Sequence, residues 1–499
     1  MPPPPNFDKW YEYAVKSKSS IIDDFGQIYN DILPFWGVEP SKIRESTARL
    51  MSYGHIEMGG LSIQNGTIHQ SPHIPGTHRW MTNMVEKMIE PFAQWLPDMV
   101  LAINLADECR VSVPFQDMEA LKATAQSTMS RVGGNNKTAK AKQATCGPDG
   151  EHGWSFDFPE QVYYDWIAST CPPGSAARSS RWWDWSSVCS ACLAPHSLMT
   201  REGAIVANNT LAHDLCHQPD VAKLDGFISS PTVLMGSNRL LPVFSQSRVG
   251  GFSDILIPSP WDFEDRSAYV DEEDVLWSNK TNGLYWRGSS TDGFAARGRW
   301  AGFLRARFVH EAYQRAKGMD NTGSQDQLRI NVSFVGDIPR QWTTVTTDRR
   351  EAAPQESPAT GLPSPLPFKE SWHFRHLMDM DGAGFSGRFL GFLRSHSLVY
   401  RAALFKTWYD ERLFGWHDYV PVDVRLGSGF WSALYYLAGV SETTSSGKLG
   451  ADTARRMAEQ GRESASSVLR REDMHVYMFR LLLEWGRATA DDREALAYR

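Results

Sequence analysis

The stretch Asp379-Met-Asp-Gly-Ala-Gly-Phe-Ser-Gly-Arg-Phe389 has the composition of an anion-binding loop. Its three glycines, Gly382, Gly384 and Gly387, remove side chains where a backbone must approach a ligand closely. The residues behind it predict a short helix at 390–395 and then a strand at 397–400. We therefore expect a loop that runs into a helix start.

A helix start leaves several backbone N–H groups without intrahelical partners, and a diphosphate needs such donors. Arg388 adds a planar cation whose donors match phosphate oxygens. A glycine-rich turn with a surface arginine explains this stretch equally well. A second stretch shifts the balance toward anion binding.

That second stretch is Leu284-Tyr-Trp-Arg-Gly-Ser-Ser290, a short apolar strand that ends in Arg287-Gly288-Ser289. A glycine-containing loop follows it and leads to a predicted helix at 300–313. Two strand–loop–helix units of this kind can converge on one diphosphate in a nucleotide-binding α/β domain. Arg297 and Arg299 lie at the far end of the loop, where solvated charges are the default interpretation.

The composition excludes some partners. The net charge of −7, from 51 basic and 58 acidic residues, leaves no basic stripe, so we expect no nucleic-acid partner. The longest apolar runs, 100–106 and 430–440, are well short of the roughly 20 residues that span a bilayer, so no membrane segment is expected. Nineteen tryptophans are a weak hint of carbohydrate recognition, because aromatic faces stack on sugars.

All the cysteines lie in one part of the chain. An even number crowded together favours local disulfides and an oxidising compartment over a zinc site, since Cys189-Ser-Ala-Cys192 has no clean partner pair. Five N-glycosylation sequons fit the same compartment. The six cysteines are Cys109, Cys146, Cys171, Cys189, Cys192 and Cys216.

The first half of the chain shows several local signals. Apolar spacing predicts a helix within 7–36, and Asn65-Gly66 between alternating residues predicts a hairpin. An amphipathic helix at 80–95 precedes the run 100–105, which predicts a buried strand that is parallel to its neighbour. Asp107 follows that strand, where a carboxylate can act on a ligand in the crevice of an α/β sheet, although a turn cap or a pair with Arg110 is the simpler explanation.

The second half of the chain also shows local signals for strands and helices. Strands are predicted at 240–245, 254–258, 330–335 and 418–424, a long exposed loop at 343–368, and a buried helix at 430–440. The clearest helical pattern in the chain is 474–485, and its neighbour 451–471 has helix-favouring composition.

Taken in order, these stretches resemble glycosyltransferase family 90, which contains fungal capsule-associated proteins and animal protein O-glucosyltransferases. The resemblance runs from about residue 7 to the C-terminus. The motifs that carry it are Leu96-Pro-Asp-Met99 leading to Asp107, Ser245-Gln-Ser247 with Phe252-Ser-Asp-Ile-Leu256, Leu284-Tyr-Trp-Arg-Gly-Ser289, Asp381-Gly-Ala-Gly-Phe-Ser-Gly-Arg-Phe389, Trp416-His-Asp-Tyr-Val-Pro421, and Arg471-Glu-Asp-Met474 through Leu482-Leu-Glu-Trp-Gly486.

The resemblance implies an α/β protein of the GT-B fold, with two Rossmann-like domains facing a cleft and a C-terminal helical segment. We expect an acceptor-side domain at 1–238 that contains the cysteine-rich region. A nucleotide-sugar-binding domain is expected at 239–450, and helices at 451–499 that pack back across the domains. Fungal members commonly begin with a membrane anchor and stem, so the resemblance implies a Golgi enzyme whose anchor is absent from this chain.

The resemblance also implies an inverting enzyme that transfers glucose or xylose from a UDP-sugar, with no cofactor and no bound metal for the chemistry. Asp107 matches the catalytic base. The nucleotide-sugar contacts fall on Arg287, Gly288, Ser289, Arg297, Gly384, Phe385, Ser386, Gly387 and Arg388. The register of one further family arginine is ambiguous between Arg297 and Arg299.

Residue chemistry agrees with these roles. An acceptor hydroxyl becomes a good nucleophile once a carboxylate removes its proton, and the departing UDP needs nearby cations and amides. Base and cations should then lie on opposite sides of one cleft. Two rival interpretations remain open at this point, namely a metal-dependent GT-A transferase that uses Asp379 and Asp381, and a carbohydrate-binding protein without catalysis. The acceptor, whether glycan, polysaccharide, protein or small molecule, is not specified by the sequence.

Overall fold

The computed structural model contains two five-stranded sheets with helices around them, and a two-stranded hairpin. The protein is therefore mixed α/β, as the sequence predicts. The structure describes residues 2–52, 57–130, 162–179, 194–232, 236–293, 301–319, 328–335, 366–440 and 444–496.

The first sheet has the order β2-β1-β3-β6-β7 and mixes antiparallel with parallel pairs. Its central strand, β3, is antiparallel to β1 and parallel to β6, so the parallel pairing predicted for 100–105 holds on one side only. The strands are β1 (Met58–Gln64), β2 (Thr67–Gln70), β3 (Met99–Asn104), β6 (Val243–Ser245) and β7 (Ile255–Leu256).

The hairpin predicted at Asn65-Gly66 is confirmed. β1 and β2 pair with Gln64 opposite Thr67, so the two residues between them form the turn. Both turn residues have positive φ, 48° at Asn65 and 75° at Gly66, as a two-residue hairpin loop requires.

The second sheet has the order β12-β11-β10-β8-β9, and every pair in it is parallel. The middle strands β10 and β11 are buried along most of their length, which explains their continuous apolar runs. The strands are β8 (Thr281–Gly288), β9 (Arg329–Phe334), β10 (Phe374–Met380), β11 (Leu398–Ala402) and β12 (Val420–Pro421), and the separate hairpin is β4 (Ser197–Thr200) with β5 (Gly203–Val206).

Helices connect and cover the sheets. The α-helices are Phe7–Lys16, Gly26–Ile32, Pro40–Ser52, Arg79–Ile89, Phe115–Met129, Ala176–Ser179, Asn209–Ala212, Gly226–Ser229, Pro260–Phe263, Leu304–Met319, Phe389–Arg394, Ser428–Leu437, Thr444–Val468 and Arg471–Thr489. The longer 3₁₀ segments are Leu33–Gly37, Glu90–Trp95, Pro219–Lys223 and Phe368–His373, and Tyr163–Ile167 is a π-helical turn.

The prediction of a single helix within 7–36 is wrong, because the chain forms two helices there, Phe7–Lys16 and Gly26–Ile32. The segment between them contains Lys18 with φ of 52°, a conformation that no right-handed helix contains. Ser19 in the same segment donates its hydroxyl to Asp473 at 2.9 Å instead of continuing the helix. The chain between the two helices is therefore in contact with the C-terminal helix.

The last helix, Arg471–Thr489, packs against the N-terminal part of the chain. The Trp10 indole donates to the Val476 carbonyl at 2.9 Å, and the Phe92 ring stacks on Phe479 with centroids 4.5 Å apart. Its Trp485 ring lies edge-on to Phe244 of β6 at 5.3 Å. The C-terminus therefore completes the core around the first sheet.

One predicted disulfide is present. Cys171 and Cys216 are bonded, while Cys109 is buried with a free thiol. Cys146, Cys189 and Cys192 lie outside the described residues. Within the described ranges, no helix combines the length and the apolar character that a bilayer crossing needs.

Candidate active site

A cavity of about 1000 Å³ opens between residues of the first and second sheets. This volume is in the range of small-molecule and cofactor sites. One wall consists of loops that follow β8 and β10, and we call it the nucleotide side. The other wall carries Asp107, other side chains of the first half of the chain and Trp261, and we call it the base side.

The nucleotide side brings together the two glycine-containing stretches singled out in the sequence. Strands β8 and β10 are parallel neighbours, so their carboxyl ends lie at one edge of the sheet. The loop after β8 lines the cavity with Gly288, Ser289 and Thr291, and the loop after β10 lines it with residues 382–388. The predicted convergence of the two loops is therefore observed.

The second loop presents unused hydrogen-bond donors. Gly382 donates its backbone N–H to the Gly384 carbonyl at 2.8 Å, and Phe389 donates to Ser386 at 3.3 Å. Between them, the N–H groups of residues 383–388 have no acceptor in the described structure. These residues precede the helix Phe389–Arg394, so their amides and the helix start together favour negative charge.

Two arginines lie on the nucleotide side, and one of them was not predicted. Arg388 lines the cavity as expected, and its guanidinium donates to the Arg287 carbonyl. Burial, together with the nearby charge of Arg305, lowers the pKa of Arg388 to about 10. An anionic ligand between the two cations would relieve this repulsion.

Arg305, from the helix Leu304–Met319, joins the two loops. Its guanidinium donates to the carbonyls of Ser289 at 2.7 Å and Asp381 at 2.8 Å, and to the Thr291 hydroxyl at 3.0 Å. Sequence reasoning missed Arg305 because its helix carries several arginines and no spacing distinguishes this one. Only the tertiary contacts reveal its role.

The structure does not bring the Arg287 side chain to the cavity. It donates to the side chain and carbonyl of Asn331 on β9, the latter at 2.9 Å, and it lies over the Tyr285 ring. The alternation of side chains along a strand places Arg287 on the face opposite Trp286 and Gly288. Its predicted phosphate contact is not supported by this geometry, and Arg297 and Arg299 lie outside the described residues.

Asp107 reaches the same cavity from the base side. The backbone of Gly384 lies directly against it, since a Cβ on Gly384 would be 2.4 Å from the Asp107 carbonyl oxygen. The predicted base and the glycine loop are therefore in contact, and the alternative pairing of Asp107 with Arg110 is not what the structure contains. Arg110 instead donates to Asn104 at 2.6 Å.

The environment of Asp107 suits a base. The Asp107 side chain is exposed to the cavity, but the protein around the cavity shields it from bulk solvent. This shielding disfavours the charged form and raises the pKa of Asp107 above its ordinary value. The charge of His78 and a hydrogen bond from Gln246 oppose that increase, whereas the negative charge of Glu57 adds to it. A raised carboxyl pKa strengthens the carboxylate as a proton acceptor.

A short hydrogen-bond chain orients the Gln246 amide. Ser259 donates its hydroxyl to the Gln246 Oε1 at 2.9 Å, which leaves the Gln246 Nε2 to donate to the Asp107 Oδ1 at 3.3 Å. Both Gln246 and Ser259 are buried. Gln246 belongs to a motif noted in the sequence, but nothing there indicated that it contacts Asp107.

Asp379 and Asp381, the acidic pair of the metal-dependent alternative, do not line the cavity. Asp379 accepts a hydrogen bond from the Ser386 hydroxyl, and Asp381 accepts the backbone N–H groups of Leu404 and Phe405 at 2.6 and 3.0 Å. Both carboxylates therefore hold loops of the second sheet in place.

A scan against protein-family models and a search of curated proteins both found no match.

Proposed function

We propose that this protein is an inverting glycosyltransferase of the GT-B type that moves a glucose- or xylose-type sugar from a UDP-sugar to an acceptor hydroxyl. The observation that carries the proposal is the contact of Asp107 with the Gly384 loop, in a cavity that also holds Arg388. A carboxylate base and an anion-binding loop in one cavity are the two parts that a direct displacement needs.

In the proposed reaction, the acceptor oxygen attacks the anomeric carbon as the bond between that carbon and the β-phosphate oxygen breaks. Asp107 takes the acceptor proton, and the electron pair of the broken bond leaves with UDP. The unused amides of 383–388 and the Arg388 guanidinium stabilise the new charge on the diphosphate. Each well-placed donor of this kind contributes about 3 kcal/mol in a site from which water is excluded.

The resemblance to glycosyltransferase family 90 supports the choice of UDP and of glucose or xylose as the donor sugar. The Cys171–Cys216 bond supports an oxidising compartment, and we propose the secretory pathway, with the Golgi lumen as the specific site.

The test is UDP release from a panel of UDP-sugars, with and without a mixture of acceptor glycosides, followed by NMR of the product. We expect one UDP-sugar to be consumed, and an α-linked donor to give a β-linked product. Unchanged turnover in EDTA is expected, whereas loss of turnover would favour the metal-dependent alternative. Binding of UDP with no turnover of any donor would favour a carbohydrate-binding protein.

A further inference from the structure

The base side of the cavity contains a tryptophan that is exposed but rigidly held. Trp261 retains 36% of its accessible surface and lines the cavity. Its indole nitrogen donates to the Gly387 carbonyl at 3.2 Å, and its ring lies edge-on to Trp80 at 6.3 Å. A Cβ on Gly387 would lie 2.5 Å from the Trp261 Nε1, so the close approach depends on that glycine.

Arg266 completes the support of this ring. Its guanidinium lies 3.5 Å from the Trp80 ring centroid and 5.1 Å from that of Trp261. Trp80 is therefore already stacked on Arg266, whereas Trp261 keeps exposed surface where it lines the cavity. An aromatic face that is fixed before binding loses little conformational entropy when a ligand stacks on it.

A second feature on the base side is a buried arginine with an unused donor. Arg110 is 1% exposed and lines the cavity. Its Nε donates to Asn104, its Nη2 lies 3.5 Å from a Glu57 carboxylate oxygen, and its Nη1 has no hydrogen-bond partner in the described structure. An unsatisfied buried guanidinium N–H is costly, so a ligand oxygen is the natural partner for it.

Glu57 supplies the complementary group. Its side chain is 47% exposed and lines the same cavity, where it can accept a hydrogen bond. A pair made of an arginine donor and a carboxylate acceptor matches neighbouring hydroxyls, because each hydroxyl both donates and accepts. A sugar ring combines such hydroxyls with an apolar face of C–H groups. A peptide serine offers a single hydroxyl and no such face.

We propose, on the basis of the proposed function, that the acceptor is a carbohydrate. Its sugar ring stacks on Trp261 and hydrogen-bonds to Arg110 and Glu57, next to Asp107. We call these three residues the acceptor subsite. The transferred sugar is then joined to a glycan hydroxyl and not to a protein side chain.

The test compares acceptors and variants. The probes are the methyl glycosides of mannose, galactose, glucose and xylose, and a serine-containing peptide. We expect at least one glycoside, and not the peptide, to accelerate UDP release. Trp261→Leu should raise the KM for that glycoside about tenfold, and by more than the KM for the UDP-sugar. The peptide being the better acceptor, or equal effects on both KM values, would overturn the proposal.

Three further variants separate loss of the acceptor subsite from damage to the Gly387 loop. Trp261→Phe keeps the aromatic face but loses the bond to Gly387, so the glycoside KM should change about threefold or less. Glu57→Gln should raise the glycoside KM about tenfold, because a charged acceptor is lost. Phe414→Leu changes an aromatic residue that is 67% exposed and outside the cavity lining, and it should leave both KM values unchanged. The subsite would be contradicted if Glu57→Gln left the glycoside KM unchanged while Trp261→Phe raised it strongly.

Saturation-transfer NMR with the same glycosides and UDP separates this inference from the proposed function. If the wild type binds a glycoside but turns over no UDP-sugar, and Trp261→Leu loses the glycoside binding, the transferase is refuted and the subsite is kept. Turnover of a UDP-sugar with no glycoside bound or used would refute the subsite and keep the transferase.

Discussion

The two sides of the cavity are built differently. The nucleotide side consists mainly of backbone, with loops at the ends of two adjacent strands joined by Arg305 through carbonyl oxygens. The base side consists of side chains from distant parts of the chain, and Asp107 is oriented by a Ser259–Gln246 relay. We infer that UDP binding depends mainly on the nucleotide side, whereas acceptor binding and the pH dependence of turnover depend mainly on the base side.

The largest effect is expected for Asp107→Asn. The asparagine amide has nearly the same shape as the carboxylate but cannot take the proton from the acceptor hydroxyl. Turnover of the UDP-sugar should therefore fall by roughly 10²- to 10⁴-fold. UDP affinity, measured by calorimetry, should change little, because Asp107 contacts the Gly384 loop through its backbone. Retained turnover would remove Asp107 as the base.

Arg388→Ala should weaken UDP binding, and it should also slow turnover because Arg388 stabilises the charge on the departing UDP. Loss of a partly buried cation beside the free amides should weaken UDP binding about 10- to 100-fold, since charge-assisted hydrogen bonds contribute about 1.5 to 3 kcal/mol each. Arg388→Lys keeps the charge but not the planar donor geometry, and its UDP affinity should be intermediate. Equal UDP affinity in the wild type and both variants would show that the loop is not the diphosphate site.

Gly384→Ala tests the contact between the two sides. A Cβ there would lie 2.4 Å from the Asp107 carbonyl oxygen, so one backbone must move. A shift of this size in the reacting geometry can reduce turnover about 10²-fold, and we expect a loss of 10- to 100-fold. Gly76→Ala is the matched control, because its Cβ would meet nothing within 4 Å. Equal activity of the two variants would contradict the predicted close contact.

The smallest effect is expected for Gln246→Leu, and it should appear in the pH profile. Asp107 acts only when deprotonated, so turnover should rise with pH as this carboxyl loses its proton. Burial raises its pKa above the ordinary 3.8, and the Gln246 hydrogen bond lowers it. Without that bond the pKa should rise, which moves the acidic limb to higher pH and costs about three- to tenfold in rate on that limb.

Ser259→Ala should shift the same limb in the same direction by a smaller amount, because it removes the bond that orients the Gln246 amide and leaves the Gln246–Asp107 bond itself. It also removes the bond that Ser259 accepts from the Trp261 backbone N–H at 3.1 Å, so the pH profile and not the overall rate is the readout. An acidic limb that stays in place in both variants, or moves to lower pH, would contradict the relay.

The difference between the two sides also explains how much of the molecule could be predicted. The Asn65-Gly66 hairpin and the glycine loop at 382–388 are local signals, since turn chemistry and missing side chains act over a few residues. The class of the fold and the convergence of two loops follow from such signals. The break within the predicted helix at 7–36 does not, and the segment at the break contacts a residue far away in sequence, since Ser19 donates to Asp473.

On the base side, only Asp107 was predicted. Gln246 contacts Asp107, Trp261 contacts Gly387 and Arg110 contacts Glu57, all far away in sequence. Each residue type commonly occurs in ordinary cores or surfaces. Arg305 was missed on the nucleotide side for the same reason. Arg287 shows the converse case, because a motif identified the residue while strand alternation directs its side chain to Asn331, so its nucleotide contact stays a prediction.

The most direct test of the central claim measures UDP affinity and UDP-sugar turnover in the wild type, Asp107→Asn and Arg388→Ala under one set of conditions. We predict that Asp107→Asn binds UDP as the wild type does but turns over almost no UDP-sugar, and that Arg388→Ala binds UDP at least tenfold more weakly. Turnover that persists in Asp107→Asn, or UDP affinity that is the same in all three proteins, would contradict a single cavity that joins a base to a nucleotide site.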